Sequence, residues 1–252
     1  MNQASNPMPG LSTKLIPPAE RLIFALDVAD IDTAKTLVLA LGEQVQFYKL
    51  GLELFMAGGY FELMDWLLQR HKKIFVDLKF FDVPQTVASA VKRLQGRGVS
   101  FVTVHGNDSI LRAAVDSQAG DCKILAVTVL TSLDRGDLND LGFACEIEEL
   151  VYSRAKRALE LGCGGIVSSG LEVARLRQQL GDKLVVVTPG IRPVENRPVD
   201  DQKRVVTVDQ AFLNGADYIV VGRPIKQAAN PAAAAAAIQH TIQQLFSGVT
   251  PA

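Results

Sequence analysis

Eight short runs rich in β-branched and aromatic residues recur along the chain, at Arg21–Asp27, Val45–Leu50, Lys73–Lys79, Val99–His105, Lys123–Leu130, Gly164–Ser168, Lys183–Pro189 and Asp217–Gly222. Most are nearly continuous in Val, Ile, Leu and Phe rather than alternating with polar residues, as strands covered on both faces of a parallel sheet are. Between them lie segments with helical spacing, among them Thr33–Leu41, Tyr60–Arg70, Pro84–Leu94, Ile147–Leu161, Glu172–Leu180 and Val208–Leu213. Several are followed by a glycine suited to closing a helix: Gly42, Gly162, Gly181 and Gly215. A strand–helix unit repeated eight times in 252 residues predicts an α/β chain folded as a single-domain closed (β/α)8 TIM barrel. No G-x-G-x-x-G follows the first run, which speaks against an open dinucleotide-binding sheet.

In such a barrel the working residues sit at the carboxyl ends of the strands. Asp27 ends the first run, Lys49 the second, Asp77 and Lys79 the third, His105 the fourth, and Thr131 and Ser132 follow the fifth. The third is the most unusual, because Val76-Asp77-Leu78-Lys79-Phe80-Phe81-Asp82 is apolar but for its charges. Residues i and i+2 of a strand share a face, so Asp77 and Lys79 are expected to project together, and burying them requires compensating partners. A salt bridge at one strand end explains one such pair; charge sorted to five consecutive strand ends points to a site.

Loops after the seventh and eighth strands of a barrel often bind phosphate. Here both carry glycine and arginine, in Thr188-Pro189-Gly190-Ile191-Arg192-Pro193 and Val221-Gly222-Arg223-Pro224. Glycine lets backbone N–H groups approach an anion, and arginine offers a fork of donors matched to its oxygens. Gln202, within Asp201-Gln202-Lys203-Arg204, can reach the same anion, so a phosphorylated small molecule is the expected ligand.

Composition narrows the partners. With 26 Lys and Arg against 27 Asp and Glu, the chain has no broad basic field for nucleic acid or an anionic membrane. Three cysteines without a C-x-x-C pair suit a reducing, cytoplasmic compartment, and the three dispersed histidines form no metal-ligand pattern. Residues 1–20 are polar and Pro-containing, neither signal peptide nor anchor, and read as a loose arm before a barrel over 21–247 and a short tail at 248–252. Asn230 and Pro231 can start a closing helix through Ala232–Ile238, too short to span a membrane.

The motifs DLKFFDVPQT at 77–86, VTVLTS at 127–132, TPGIRP at 188–193, DDQKR at 200–204 and VGRPI at 221–225 closely resemble those of the bacterial orotidine 5′-phosphate decarboxylases. The resemblance runs from about Ile23 to the closing helix. It implies conversion of orotidine 5′-monophosphate to uridine 5′-monophosphate, the last step of pyrimidine nucleotide synthesis, without metal or organic cofactor.

Carried over to this chain, Lys79 resembles the lysine that delivers a proton to C6 of the pyrimidine, flanked by Asp77, with Lys49 in the same charge network. Asp27 and Lys49 resemble the ribose contacts. Ser132, beside Thr131, resembles the residue that reads the ring, while Arg192, Gln202, Gly222 and Arg223 resemble the phosphate grip. Asp82 and Thr86 are implied to complete the neighbouring subunit's site in a homodimer. The segment Val194–Asp201 is the expected lid. Two rivals share parts of this pattern: a Mg-dependent sugar-phosphate decarboxylase or synthase of the same superfamily, and a catalytically silent nucleotide-binding barrel.

Overall fold

The computed structural model describes residues 10–118, 120–192 and 204–247. Eight parallel strands close into a barrel in sequence order: β1 (Leu22–Ala25), β2 (Phe47–Gly51), β3 (Lys73–Phe80), β4 (Val99–Val104), β5 (Lys123–Val127), β6 (Gly165–Val167), β7 (Val185–Thr188) and β8 (Tyr218–Val221), with β8 pairing back onto β1. Helices fill the crossovers: α1 (Ile31–Leu41), α2 (Leu52–Met56), α3 (Tyr60–Leu68), α4 (Pro84–Lys92), α5 (Asp108–Asp116), α6 (Arg135–Asp140), α7 (Ile147–Glu160), α8 (Val173–Leu180), α9 (Val208–Leu213), α10 (Arg223–Lys226) and α11 (Pro231–Phe246). The expected single-domain (β/α)8 barrel is what forms.

Both faces of the strands are buried, which is why their sequences are apolar without alternation. Outward residues such as Leu22, Phe24 and Leu26 pack against the helices. Inward ones, including Ile23, Phe47, Phe75, Phe101, Leu125 and Tyr218, fill the barrel. The rings of Phe47, Phe101 and Tyr218 meet edge-on or tilted at 5.1–5.8 Å, so the lower barrel is a packed plug.

Local signals account for several helix ends. The Asp30 carboxylate caps α1 by accepting from Thr33 N–H, and Gly42 at φ 53° terminates it. Asn230 caps α11 through Ala233 N–H, with Pro231 in the first turn. That helix runs to Phe246, well beyond the Ala232–Ile238 run, because Ile238, Ile242 and Phe246 continue its buried stripe. No described helix is long and apolar enough to cross a membrane.

The N-terminal segment departs from expectation. Residues 10–20 are docked beneath the barrel instead of forming a loose arm. Leu11 and Ser12 are buried, the Ser12 hydroxyl donates to the buried Asp217 carboxylate, and Lys14 Nζ lies 3.1 Å from the same group. Arg21 ties the segment further, donating to the carbonyls of Lys14 and Asp217 at 3.0 and 3.1 Å. A polar composition suggested freedom, but the partner that consumes its polarity is Asp217, some 200 residues away.

Candidate active site

Above the aromatic plug, at the carboxyl ends of the strands, opens a cavity of about 490 Å³. The two-residue period of a strand explains its lining. Inward positions run Ile23, Ala25, Asp27 along β1 and its exit, Phe47 then Lys49 along β2, and Phe75 then Asp77 along β3, passing from apolar interior to charged mouth. Asp27 lies two residues beyond β1, and Lys49 stands inside β2 rather than at its end.

Charges alternate along this wall. Lys49 Nζ is 3.1 Å from Asp27 Oδ1 and 3.3 Å from Asp77 Oδ2, and Lys79 Nζ is 3.0 Å from Asp77 Oδ1. Burial pulls the Lys49 ammonium toward its neutral form, but Asp77 and Asp27 more than offset it and hold its pKa above the ordinary 10.5. Burial likewise pushes the Asp77 carboxyl up, while Lys49, Lys79 and the Thr103 hydroxyl bring it below the ordinary 3.8.

The sign of each shift sets a pH window. The stabilisation from Asp77 is present above its unfolded value and is lost as pH falls through the lower folded one; that from Lys49 is present below 10.5 and is lost as pH rises through the higher folded one. The difference in melting temperature between wild type and Lys49→Met is therefore expected to stay constant from about pH 5 to about pH 9 and to shrink below about pH 4. A difference that changed across neutrality would contradict this ion-pair arrangement.

Lys79 reaches Asp77 by a route that a regular strand does not supply. Its φ is +48°, a left-handed conformation costing a non-glycine residue roughly 1–3 kcal/mol, and the β3–β4 register shifts between Val76 and Phe80. The side-by-side projection expected from a flat strand is thus produced by a bulge. Thr103, fully buried on β4, holds it: its hydroxyl donates to Asp77 Oδ1 at 3.0 Å and accepts from Lys79 N–H at 2.9 Å. Thr103→Val keeps the shape but leaves the Lys79 N–H without its acceptor and takes one donor from the Asp77 carboxylate, which keeps both lysines, so a stability loss of about 1–3 kcal/mol is expected. The same change is expected to lower kcat about tenfold with little change in KM, and Thr103→Ser should restore most of it. Steady-state kinetics and denaturant titration of both variants check this.

Thr103 was not singled out from the sequence, because threonine in Val-Ser-Phe-Val-Thr-Val reads as an ordinary β-former. Gly51 was also missed, although a Cβ there would stand 2.9 Å from Asp27 Oδ1 and 3.2 Å from Lys49 Nζ. Lys226 is a third: it lines the cavity and donates to the Asp27 carbonyl at 2.5 Å. Its place one turn after Gly222-Arg223 was the available signal.

Thr131, Ser132, Arg192, Gly222 and Arg223 complete the lining with Pro189 and Gly190. Gln202 and the expected lid lie outside the described residues. Asp82 and Thr86 do not reach the cavity of their own chain: both are exposed, and the Asp82 carboxylate accepts from Val83 N–H at 2.6 Å. Within one chain Lys79 therefore meets Asp77 but not the second carboxylate. Among the described residues no three His, Cys, Asp or Glu side chains are grouped to hold a metal ion.

A closed parallel barrel with a connected acid–lysine network at the carboxyl ends of its strands is a TIM-barrel enzyme in architecture and site placement. Residues 20–238 match the family model described as orotidine 5′-phosphate decarboxylase / HUMPS family, and the chain belongs to that family. A protein of Methylococcus capsulatus named orotidine 5′-phosphate decarboxylase is 65% identical over 237 residues, which cover 94% of this chain and 98% of the relative. One of the same name from Xanthomonas euvesicatoria pv. vesicatoria is 51% identical over 226 residues, 89% of this chain and 92% of the relative. The crystal structure of orotidine 5′-phosphate decarboxylase from Lactobacillus acidophilus matches with a TM-score of 0.77 at 35% identity, covering 90% of this chain and 99% of that one.

Proposed function

We propose that this chain decarboxylates orotidine 5′-monophosphate to uridine 5′-monophosphate in pyrimidine biosynthesis, with Lys79 as the group that meets the reacting carbon. The observation that carries the assignment of Lys79 is the continuous Asp27–Lys49–Asp77–Lys79 chain, whose terminal ammonium is partly exposed in the cavity. When CO₂ leaves, the electron pair of the broken bond stays on C6, in an orbital that the ring carbonyls cannot delocalise. A fixed ammonium stabilises that localised charge without the reorganisation water would need. One Nζ proton then passes to C6, giving the product, and the amine is reprotonated from solvent.

Asp77, held ionised by Lys49 and Lys79, keeps the ammonium aimed. Asp27 and Lys49 suit the ribose hydroxyls, Thr131 and Ser132 the pyrimidine edge, and Arg192, Gln202, Gly222 and Arg223 the phosphate. Binding energy from that distant phosphate can be used to orient the ring. The three free thiols suit a reducing compartment such as the cytoplasm.

In this reading the active unit is a homodimer in which Asp82 and Thr86 complete the partner's site. Supporting it, the segments after the adjacent strands β2 and β3 expose Leu52, Phe55, Met56, Phe81 and Val83, an apolar surface of the kind that marks association, and Asp82 sits within it.

The assay that tests the function is the fall in absorbance as orotidine 5′-monophosphate is consumed, run with chelator present. Turnover is expected to be unaffected by chelator and absent with sugar phosphates. Chelator-sensitive turnover of a sugar phosphate would instead establish the Mg-dependent rival. That rival is disfavoured by the names of the near relatives and by Asp27 and Asp77 being already paired with lysine.

A further inference from the structure

Arg204 stands where the chain returns from the loop after β7, buried and outside the cavity lining. Its Nη1 donates to Glu172 Oε1 at 2.6 Å, and its Nη2 donates to the carbonyls of Val129 and Leu130 at 3.2 and 3.1 Å. Glu172, also buried, lies between β6 and α8. One guanidinium therefore spans the segments that follow three consecutive strands.

The two ends of this span reach the cavity by short, stiff connections. Two residues beyond Arg204, Val206 forms a parallel bridge with Ile191; Arg192 N–H donates to the Val206 carbonyl at 2.9 Å, and Val206 N–H to the Gly190 carbonyl at 3.2 Å. The backbone carrying Arg204 is thus zipped to the backbone that brings Gly190 and Arg192 into the cavity. On the other side, the carbonyls it holds immediately precede Thr131 and Ser132. The packing between leaves no slack, since a Cβ at Gly170 would stand 2.4 Å from Val206 Cγ2.

A buried ion pair is weak ground for stability, because apolar replacements of similar volume are often as stable. What the planar fork supplies, and an apolar residue does not, is directional tethering of several acceptors at once. We propose that Arg204, held by Glu172, is a positioning residue that sets the spacing between the loop reading the pyrimidine and the loop holding the phosphate. The proposal rests on the functional reading above. Its consequence is that a nucleotide, which engages both loops, gains from the clamp, whereas a nucleoside, which lacks the phosphate, does not.

Burial, the larger influence, holds the Glu172 carboxyl above its ordinary pKa despite Arg204. Loss of Arg204 therefore leaves a group able to take up a proton rather than a stranded charge, and Arg204→Gln is expected to fold. In that variant kcat/KM for orotidine 5′-monophosphate should fall about 10- to 100-fold, the size of a small misplacement of bound groups. Affinity for uridine 5′-monophosphate should fall with it, while affinity for uridine, measured by competition, should change less than about twofold. Glu172→Gln should act in the same direction, and the double variant should be no worse than Arg204→Gln, as for two members of one unit. Arg204→Lys, keeping charge without the fork, should fall between.

Equal losses for nucleotide and nucleoside, fully additive losses, or no loss would each overturn the clamp. If Arg204→Gln does not fold, Arg204→Lys and Glu172→Gln decide the same ratio, and failure of all three to fold would leave a purely structural role and overturn it too. Wild-type turnover is the control. An inactive wild type refutes the functional reading, whereas an active wild type with an unchanged nucleotide-to-nucleoside ratio in the variants refutes the clamp alone.

Discussion

Lys79→Ala is expected to lower the rate of decarboxylation by about four orders of magnitude or more, because it removes both an electrostatic partner, typically worth about 10²–10³, and a proton donor, typically worth about 10²–10⁴. Binding of uridine 5′-monophosphate should be largely retained, since the ribose, ring and phosphate contacts proposed above come from other residues. The fold should also survive. Asp77 keeps Lys49 at 3.3 Å and the Thr103 hydroxyl at 3.0 Å, so its buried carboxylate is not stranded. Single-turnover measurements with product-binding titrations separate the two effects. Near-wild-type turnover in this variant would remove Lys79 from the chemistry, whereas nucleotide binding without turnover in the wild type would make the binding barrel the better account.

Mixing two inactive proteins should regenerate activity. Asp82→Ala chains retain Lys79, and Lys79→Ala chains retain Asp82, so a mixed dimer built on shared sites holds one intact site. Equal amounts exchanging at random give half mixed dimers with one good site of two, or about a quarter of wild-type activity per site. The starting level is near zero, which makes the recovery easy to read. The geometry motivating the experiment is the position of Asp82, exposed among apolar side chains and away from the cavity of its own chain. Failure to recover activity after demonstrated subunit exchange would mean that Asp82 serves its own chain.

Much of the architecture was legible locally. The middle of the Lys183–Pro189 run, where β7 (Val185–Thr188) forms, holds only residues that a doubly covered strand tolerates, and Gly42 and Gly181 end helices where a left-handed residue is required. Run lengths were less reliable. Lys123–Leu130 shortens to β5, Lys123–Val127, because an apolar run does not reveal where its ladder partner turns away. The helix Asp108–Asp116 was not read from its short, mixed sequence; Asn107 caps it, and Ile110, Leu111 and Ala114 bury one face.

The same division holds at the site. Asp27, Lys49, Asp77 and Lys79 declared themselves as charges in places where apolar neighbours make charge expensive. Thr103 did not, because its importance lies in what crosses from β3 to β4. Arg204 and Glu172 lie 32 residues apart and meet only in the folded chain. Ser12 and Lys14, in a segment whose composition suggested disorder, are ordered by Asp217 from the opposite end of the sequence.

Periodicity and residue chemistry by themselves determined the (β/α)8 class, the inward direction of the charged positions and the kind of ligand their types suit, since these follow from backbone geometry and desolvation acting on neighbouring residues. Only the tertiary structure decided the bulge that turns Lys79 onto Asp77, the docking of residues 10–20 and the joining of three loops through Arg204. Each of these depends on pairing register or on a partner distant in sequence, and no local pattern encodes which distant group will satisfy a buried donor or acceptor.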